Sequence, residues 1–370
     1  MKKSLVFNQH QIDYLQQPMF FGSDGLNMQR YDILKYPKMD KLTDKMHSFF
    51  WRPSEISLIK DRNDYQMQFN DEHRAFFNKN LKRQILLDSA NGRGPAVAFL
   101  PFVTLPEVEA AIEAWTFFET IHSRSYQHII RDMYTNPSEI FDTVLEDEYI
   151  LQCAKDVTKH YDDFIDYGYK YLATGVGDSY TLKRLLYLAL INVYMLESVR
   201  FFVSFACHFA FAQNGLIEGI ASIMTLIARD EKLHVALVRM ILKNIKQHEN
   251  DAEWIKVIDD CKDEARAIAK ACGDQEQEWA DYLFENDTTL LGVNANMLKQ
   301  NVRQTVNRSC ISIDLGAIYA IEPDPIDYLE KWTSSEGVQK APQETDITSY
   351  RVGSVKIDVT EDILKTMDLG

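Results

Sequence analysis

The chain has 370 residues, a length that corresponds to one large domain or to two ordinary ones. Its composition, 46% hydrophobic and 26% charged, is typical of a globular protein with a large core. The net charge of −15 argues against binding to nucleic acid or to an anionic membrane surface. The five cysteines include no C-x-x-C pair, which favours reduced thiols in the cytoplasm over a disulfide framework or a zinc ribbon.

Glycine and proline separate long stretches in which apolar residues recur at helical spacing, and strand signals are weak. Pro106 suits the first turn of a helix, whereas Asn-Gly-Arg-Gly-Pro at 91–95 is a stop signal. The predicted helices, in chain order, are 71–90, 106–134, 137–174, 179 or 181 to 212, 216–247, 251–272, 275–285 and 289–308. We therefore predict an all-α helical bundle over residues 1–332, followed by a flexible polar tail over residues 333–370.

The predicted helix that ends at residue 212 is apolar nearly all round from residue 182 onward, which is typical of a membrane span or of the centre of a bundle. Glu197, Arg200 and His208 interrupt it, and no other segment resembles a membrane span, so a bundle core is favoured. A buried carboxylate costs several kcal/mol unless it is paired or binds a metal. Either an ion pair with Arg200 or a functional role would explain why Glu197 occurs in this apolar helix.

Two E-x-x-H pairs occur on different predicted helices, and a spacing of three residues places both side chains of a pair on one helix face. Bundle di-metal proteins combine two such pairs with one carboxylate from each of two further helices. The candidate ligands are Asp88, Glu119, His122, Glu197, Glu231 and His234. Four carboxylates balance two divalent cations, and this donor set suits iron or manganese. The alternative, a set of helix-surface charges, does not explain Glu197.

Tyr126 lies four residues after His122, so it projects from the same helix face one turn farther along. A tyrosine at this spacing is usually a core residue with a satisfied hydroxyl. Beside a di-iron site it could instead be oxidised by one electron and held as a radical. Apolar residues of the facing helices could form a dry shell around it, namely Phe201, Phe205 and Ile227. Spacing alone leaves both interpretations open.

Five segments resemble the radical-generating small subunit of class I ribonucleotide reductase, in order and at the family's spacing. They are FFWRP at 49–53, LLDS at 86–89, ETIHSRSY at 119–126, ESVRFFVSFACHFAFA at 197–212 and ARDEKLH at 228–234. The resemblance covers essentially the whole chain, including a tail tyrosine, Tyr350. It implies a ferritin-like di-metal helical bundle with extra helices and a flexible C-terminal tail.

The resemblance also implies a ligand arrangement and a cofactor. Asp88, Glu119 and His122 would bind one iron of an oxo-bridged pair, with manganese as a possible replacement. A second set, Glu197, Glu231 and His234, would bind the other iron, and the glutamates Glu119 and Glu231 would bridge. Oxygen activation at the reduced pair would then oxidise Tyr126 to a stable tyrosyl radical.

The remaining implications concern electron transfer and partners. Trp51 would pass an electron to the site through Asp230 and His122, and Tyr350 would relay the oxidising hole to the large subunit. The tail would bind that large subunit, where ribonucleoside diphosphates are reduced, and the small subunit would be a homodimer. Without the family, Trp51 could be an aromatic plug over a helix start, and Asp230 could form an ion pair with Arg229.

Two other functions remain alternatives at this stage. A stand-alone di-metal oxidase or oxygenase of the same fold would need neither Tyr126, Trp51 nor the Tyr350 tail. A metal-storage or scaffold bundle is disfavoured because storage shells are assembled from shorter chains.

Overall fold

Helices dominate the structure, a computed structural model that describes residues 6–22, 25–285, 290, 292–320, 323–326 and 328–333. The α-helices are α1 (Pro37–Ser48), α2 (Ile59–Met67), α3 (Asp71–Asn91), α4 (Gly94–Ala98), α5 (Pro106–Met133), α6 (Ser138–Phe141), α7 (Glu148–Thr174), α8 (Ser179–Met195), α9 (Phe201–Gln213), α10 (Glu218–Gln247), α11 (Ala252–Asp260), α12 (Lys262–Leu283), α13 (Ala295–Ser312) and α14 (Tyr328–Thr333). Short 3₁₀ turns lie at Pro53–Glu55, Leu100–Phe102 and Val144–Glu146. Within the described residues no strand forms, and only two isolated bridges occur. The all-α prediction is confirmed.

The long helices pack around one apolar run, α8 followed by a π-helical turn (Leu196–Arg200) and α9. Helix α3 packs against α5, α7 and α9, while α10 packs against α5, α8 and α9. A hairpin of α12 and α13 covers α8 and the π-helical turn from outside. This arrangement brings α3, α5, α10 and the π-helical turn together at the centre of the bundle.

The run Ser179–Gln213 is, by length and composition, apolar enough to cross a membrane. However, 94% of its most apolar window is buried inside the protein. Its apolar circumference is therefore already covered by neighbouring helices, as the bundle-core interpretation predicted.

Three of the predicted helix boundaries are wrong. Asp147 divides the segment 137–174, because its carboxylate accepts hydrogen bonds from the Tyr149 and Ile150 amides and caps α7.

The segment 251–285 breaks at Cys261 instead of near Gly273, which lies inside α12. Gly273 is there for packing, since a Cβ atom would lie 2.5 Å from the Tyr319 hydroxyl. The last predicted helix begins at Ala295, not at residue 289.

Helix α10 begins without a capping side chain of its own. Its N-cap residue, Ile217, has a φ of 47° and offers no side-chain acceptor. Two aspartates of α2 supply the acceptors: Asp61 accepts from the Ile220 amide (2.7 Å) and the Gly219 amide (3.2 Å), and Asp64 accepts from the Ile217 amide (3.0 Å). Because Asp61 is buried, water cannot replace its bonds.

We predict that Asp61→Ala lowers the free energy of unfolding by about 2 kcal/mol, because the buried Ile220 amide and the partly buried Gly219 amide lose their acceptor. Asp71→Ala is the control: Asp71 is fully exposed in the first turn of α3, where water screens its contact with Arg74, so a much smaller loss is expected. Urea unfolding followed by circular dichroism measures both. Equal destabilisation by the two substitutions would contradict the capping role of Asp61.

Candidate metal centre

The six candidate ligands meet at the centre of the bundle. Helix α3 brings Asp88, α5 brings Glu119 and His122, the π-helical turn brings Glu197, and α10 brings Glu231 and His234, and all six are 0% exposed. Their ligand atoms form two groups, in each of which the atoms lie within 4.8 Å of one another. The first group is Asp88, Glu119, His122 and Glu231, and the second is Glu119, Glu197, Glu231 and His234. Both groups contain Glu119 and Glu231, the two residues predicted to bridge.

Both histidines turn the same ring nitrogen, Nδ1, toward the carboxylates. His122 Nδ1 lies 3.1 Å from Glu231 Oε1 and 3.4 Å from Glu119 Oε2. His234 Nδ1 lies 2.8 Å from Glu231 Oε2, 3.1 Å from Glu119 Oε1 and 3.6 Å from Glu197 Oε2. One cation in each group would therefore meet one imidazole nitrogen and several carboxylate oxygens.

The polar atoms of this cluster are not satisfied by the protein alone. Both oxygens of Asp88, one oxygen each of Glu119, Glu197 and Glu231, and His122 Nδ1 are buried without a hydrogen-bond partner. Buried polar atoms are normally paired, so this set of unpaired acceptors fits a site for cations. The donors, oxygen-rich with two imidazoles, fit iron or manganese.

Charge crowding changes the proton affinities of these groups. Burial raises the pKa of Asp88 and of Glu231 well above the usual range, and neighbouring carboxylates raise it further. Burial also opposes ionisation of His122, but Asp230 and Glu119 raise its pKa to about 10. The two histidines outweigh burial at Glu119 and hold its pKa below the usual range. Protons therefore partly neutralise the cluster where no metal does, and metal binding would displace them.

Two buried side chains outside the six donate hydrogen bonds to both Glu119 and Glu197. Trp115 Nε1 lies 3.0 Å from Glu119 Oε1 and 2.9 Å from Glu197 Oε1. Asn91 Nδ2 lies 2.9 Å and 2.8 Å from the same two oxygens, and Tyr161 donates to Asn91 Oδ1. Asn91, Trp115 and Tyr161 were not among the site residues predicted from the sequence. Spacing could have indicated two of them, since Trp115 precedes Glu119 by four residues and Asn91 follows Asp88 by three.

Arg200 does not pair with Glu197, the alternative that the sequence left open. Arg200 Nη1 instead lies 3.1 Å from Glu276 Oε1 on α12. Residues three apart share a face in an α-helix, but a π-helical turn advances each residue by a smaller angle. Glu197 and Arg200 therefore point to different neighbours, and the ion pair cannot explain why Glu197 is buried.

The predicted electron-transfer residues are in contact. Trp51 Nε1 donates a hydrogen bond to Asp230 Oδ2 (2.8 Å), and the same oxygen lies 3.4 Å from His122 Nε2. Arg229 also reaches Asp230, but at the other oxygen, Oδ1 (3.2 Å). The ion pair considered as an alternative thus exists alongside the Trp51 contact. All three members of the Trp51–Asp230–His122 path are buried.

Tyr126 is 1% exposed, and its hydroxyl lies close to the Asp88 carboxylate, without a hydrogen bond of 3.5 Å or less. Both interpretations of Tyr126, a core tyrosine and a radical site, are compatible with this position. Burial raises the pKa of Tyr126 well above 10, and the nearby Asp88 carboxylate raises it further. The three predicted pocket residues are fully buried, with the rings of Phe201 and Phe205 stacked 6.3 Å apart and Ile227 one turn before Glu231 on α10. Tyr350 and the tail from residue 334 lie outside the described residues.

Comparison with known proteins identifies relatives along the whole chain. The family model "Ribonucleotide reductase, small chain" matches residues 30–325. The chain is 42% identical to the ribonucleoside-diphosphate reductase subunit beta of Haemophilus influenzae, over 96% of this chain and 97% of the relative. It is 40% identical to the ribonucleoside-diphosphate reductase 1 subunit beta of Escherichia coli O157:H7, over 98% and 99% of the two chains.

Solved structures support the same fold. A ribonucleotide reductase R2 subunit from Clostridium botulinum matches with a TM-score of 0.75 at 24% identity, over 90% of this chain and 99% of that one. The dimanganese(II) protein NrdF of Streptococcus sanguinis matches with a TM-score of 0.66 at 17% identity, over 82% and 98%. The predicted class I small subunit is confirmed over the stand-alone oxidase, and the chain belongs to the ribonucleotide reductase small-chain family.

Proposed function

We propose that the six buried ligands hold two iron ions, with manganese as a replacement, and that Tyr126 carries a radical formed with their help. The observation that supports this most directly is the pair of ligand groups that share Glu119 and Glu231. When bound, the metal pair would supply the oxidising power of O₂ to the centre of the bundle. As in its relatives, this activity serves ribonucleoside-diphosphate reduction.

Tyr126 is suited to hold an unpaired electron because water does not reach it. Its phenol keeps its proton at any physiological pH, since burial and Asp88 both oppose ionisation. Its oxidation therefore requires loss of a proton together with the electron. We infer that Phe201, Phe205 and Ile227, which are all buried, form its pocket and would protect the radical from reductants in solution.

The Trp51–Asp230–His122 contacts would carry an electron to the centre. Asp230 Oδ2 accepts from the indole N–H and faces His122 Nε2, so it fixes the orientation of both rings. The other nitrogen of His122 faces the ligand groups. One continuous set of buried polar contacts therefore links the indole to the metal ligands.

The family works with a large subunit. We infer that residues 333–370 bind that subunit, that Tyr350 relays the hole to it, and that the small subunit is a cytoplasmic homodimer. Reduced cysteines are consistent with this location, because all five are buried and unpaired by disulfides.

We predict that Tyr126→Phe folds and binds two metal ions but shows no tyrosyl radical and no nucleotide reduction. The substitution keeps the buried ring and removes only the hydroxyl beside Asp88, so it costs little stability. Electron paramagnetic resonance after iron and O₂ treatment, with metal quantitation, measures both effects. Tyr187→Phe, another buried tyrosine on α8, is the control and should keep the radical. A reductase-active Tyr126→Phe protein would refute the assignment.

We predict that Trp115→Phe lowers metal affinity by about 10- to 100-fold, because Glu119 and Glu197 each lose an indole donor. An aromatic ring remains in the core, so the helical content should not change. Trp254→Phe, a buried tryptophan on α11, is the matched control and should bind metal normally. Mn²⁺ titration followed by calorimetry tests this, and equal affinities of the two variants would show that the Trp115 bonds do not support the site.

We predict that deletion of residues 351–370 leaves the metal centre and radical intact but strongly weakens binding to the large subunit. Tyr350→Phe should bind normally and yet abolish turnover, because phenylalanine is too hard to oxidise for a relay. A binding assay with the large subunit and a turnover assay separate the two roles. A truncated protein that competes with the full chain would contradict docking by the tail, and an active Tyr350→Phe protein would contradict the relay.

A further inference from the structure

A second buried charge cluster lies on the other side of the π-helical turn from the metal centre. It is formed by Arg83 of α3, Arg200 of the π-helical turn, Glu276 of α12 and Cys153 of α7. None of the four is more than 6% exposed. No residue of this cluster has a place in the metal-binding or electron-transfer functions proposed above.

Both guanidinium groups contact the sulfur of Cys153. Arg200 Nη1 lies 3.0 Å from Sγ, and Arg83 Nη2 lies 3.6 Å from it. A guanidinium group donates hydrogen bonds and accepts none, so the sulfur is the acceptor in both contacts. Donation from charged groups favours an acceptor that carries negative charge.

The charges of the cluster do not balance without the sulfur. Arg83 and Arg200 both pair with the same oxygen of Glu276, while the other oxygen, Oε2, is buried without a partner. Two positive charges therefore share one carboxylate. The nearest further acid, the half-buried Asp156, accepts from Gln275, which itself accepts from Arg200. Asp156 is thus connected to the cluster through the side-chain amide of Gln275 and has no ion pair with Arg200.

Cys272 and Cys207 lie close to the same charged groups, but the hydrogen bonds of their sulfurs go to backbone carbonyls, those of Met195 and Val203, and not to a guanidinium group. Burial raises the pKa of Cys207 and of Cys272 to about 12 and that of Cys310 to about 11. Burial also raises the pKa of Cys261, although Arg184 lies near it. Arg184 is paired with Glu264, so it brings a balanced ion pair instead of excess positive charge. Cys261 is therefore a natural internal control for Cys153.

We propose that Cys153 is the site at which hydrogen peroxide oxidises this protein, and that Arg83 and Arg200 hold the oxidised sulfur. In the reaction the O–O bond breaks and an S–O bond forms. The sulfur loses two electrons and becomes a sulfenic acid, and the second peroxide oxygen leaves as water with the thiol proton. The two guanidinium groups that donate to the sulfur can also donate to an oxygen bound to it.

The added oxygen also gives the modification a structural consequence. Arg200 Nη1 is in contact with Sγ, so an oxygen added between them would push the guanidinium group outward while it donates to that oxygen. Arg200 belongs to the same π-helical turn as Glu197. Oxidation of Cys153 would therefore move the turn that carries Glu197 and weaken metal binding there, a consequence that rests on the proposed metal site.

The site is tested on the full-length protein treated with hydrogen peroxide and then quenched into denaturant with dimedone, which traps sulfenic acids. Mass spectrometry of the digest gives the oxidation rate of each cysteine. We expect Cys153 to react about tenfold faster than Cys261 or Cys310. Equal rates at Cys153 and Cys261 would overturn the proposal.

Two charge variants with opposite expected effects make the test specific. Arg83→Gln removes one donor and should slow oxidation of Cys153 several-fold, whereas the isosteric Glu276→Gln removes the competing carboxylate and should accelerate it. Arg184→Gln, the matched control beside Cys261, should leave the Cys153 rate unchanged. If Arg83→Gln fails to fold by circular dichroism, Glu276→Gln still decides, since a rate no faster than wild type overturns the proposal.

The link to Glu197 has its own measurement. Mn²⁺ titration of peroxide-treated protein should show weakened binding that dithiothreitol restores, and treatment of Cys153→Ser should have no effect. Unchanged binding after oxidation of Cys153 would overturn the link. Untreated protein that binds no Mn²⁺ would instead contradict the proposed metal site and leave the oxidation test unaffected.

Discussion

Four carboxylates with no exposure to water are the constraint on which this structure depends. Together with His122 and His234 they occupy the centre of the bundle, where charges cost several kcal/mol unless they are neutralised. Protons neutralise such a set only in part, as the raised pKa values of Asp88 and Glu231 show. Two divalent cations would neutralise the four carboxylates completely. The helices must hold the ligands in place whether or not a cation is bound. This requirement explains several features that lie outside the site.

The supports of the ligands are spread over the fold. Asp61 and Asp64 of α2 cap the start of α10, the helix that carries Glu231 and His234. Trp115 and Asn91 each bridge Glu119 to Glu197, so they tie α3, α5 and the π-helical turn together. Because these bonds join carboxylates of different helices, they hold the spacing between the ligand groups whether or not a cation is bound.

Much of this centre could be predicted from sequence because its signals are local. The spacing of Glu119 and His122, repeated at Glu231 and His234, follows from one helical turn, and the apolar run around Glu197 indicates burial. Contacts between distant segments were not predictable in this way. The caps from α2 and the pairing of Arg200 with Glu276 each depend on how helices pack. Spacing places Asn91 on the same helix face as Asp88, but only packing brings it to Glu119 and Glu197.

The same distinction explains the misplaced helix break near Gly273. A glycine inside a helical pattern indicates either an end or a close contact, and only the packing of Tyr319 against α12 decides between them. Local spacing therefore predicted which residues meet at the centre of the bundle. It did not predict which residues hold them, since those are selected by tertiary contacts.

The π-helical turn is the point at which the two buried clusters meet. In an α-helix Glu197 and Arg200 would share a face and could neutralise each other, which would leave neither available to a partner. The wider turn separates them, so Glu197 faces the acidic metal centre and Arg200 faces the basic cluster of Cys153, Arg83 and Glu276. Each cluster then carries an excess of one sign of charge, negative at the metal centre and positive around Cys153. The negative excess is suited to cations and the positive excess to hydrogen-bond acceptors, and one turn of the chain carries a member of each cluster.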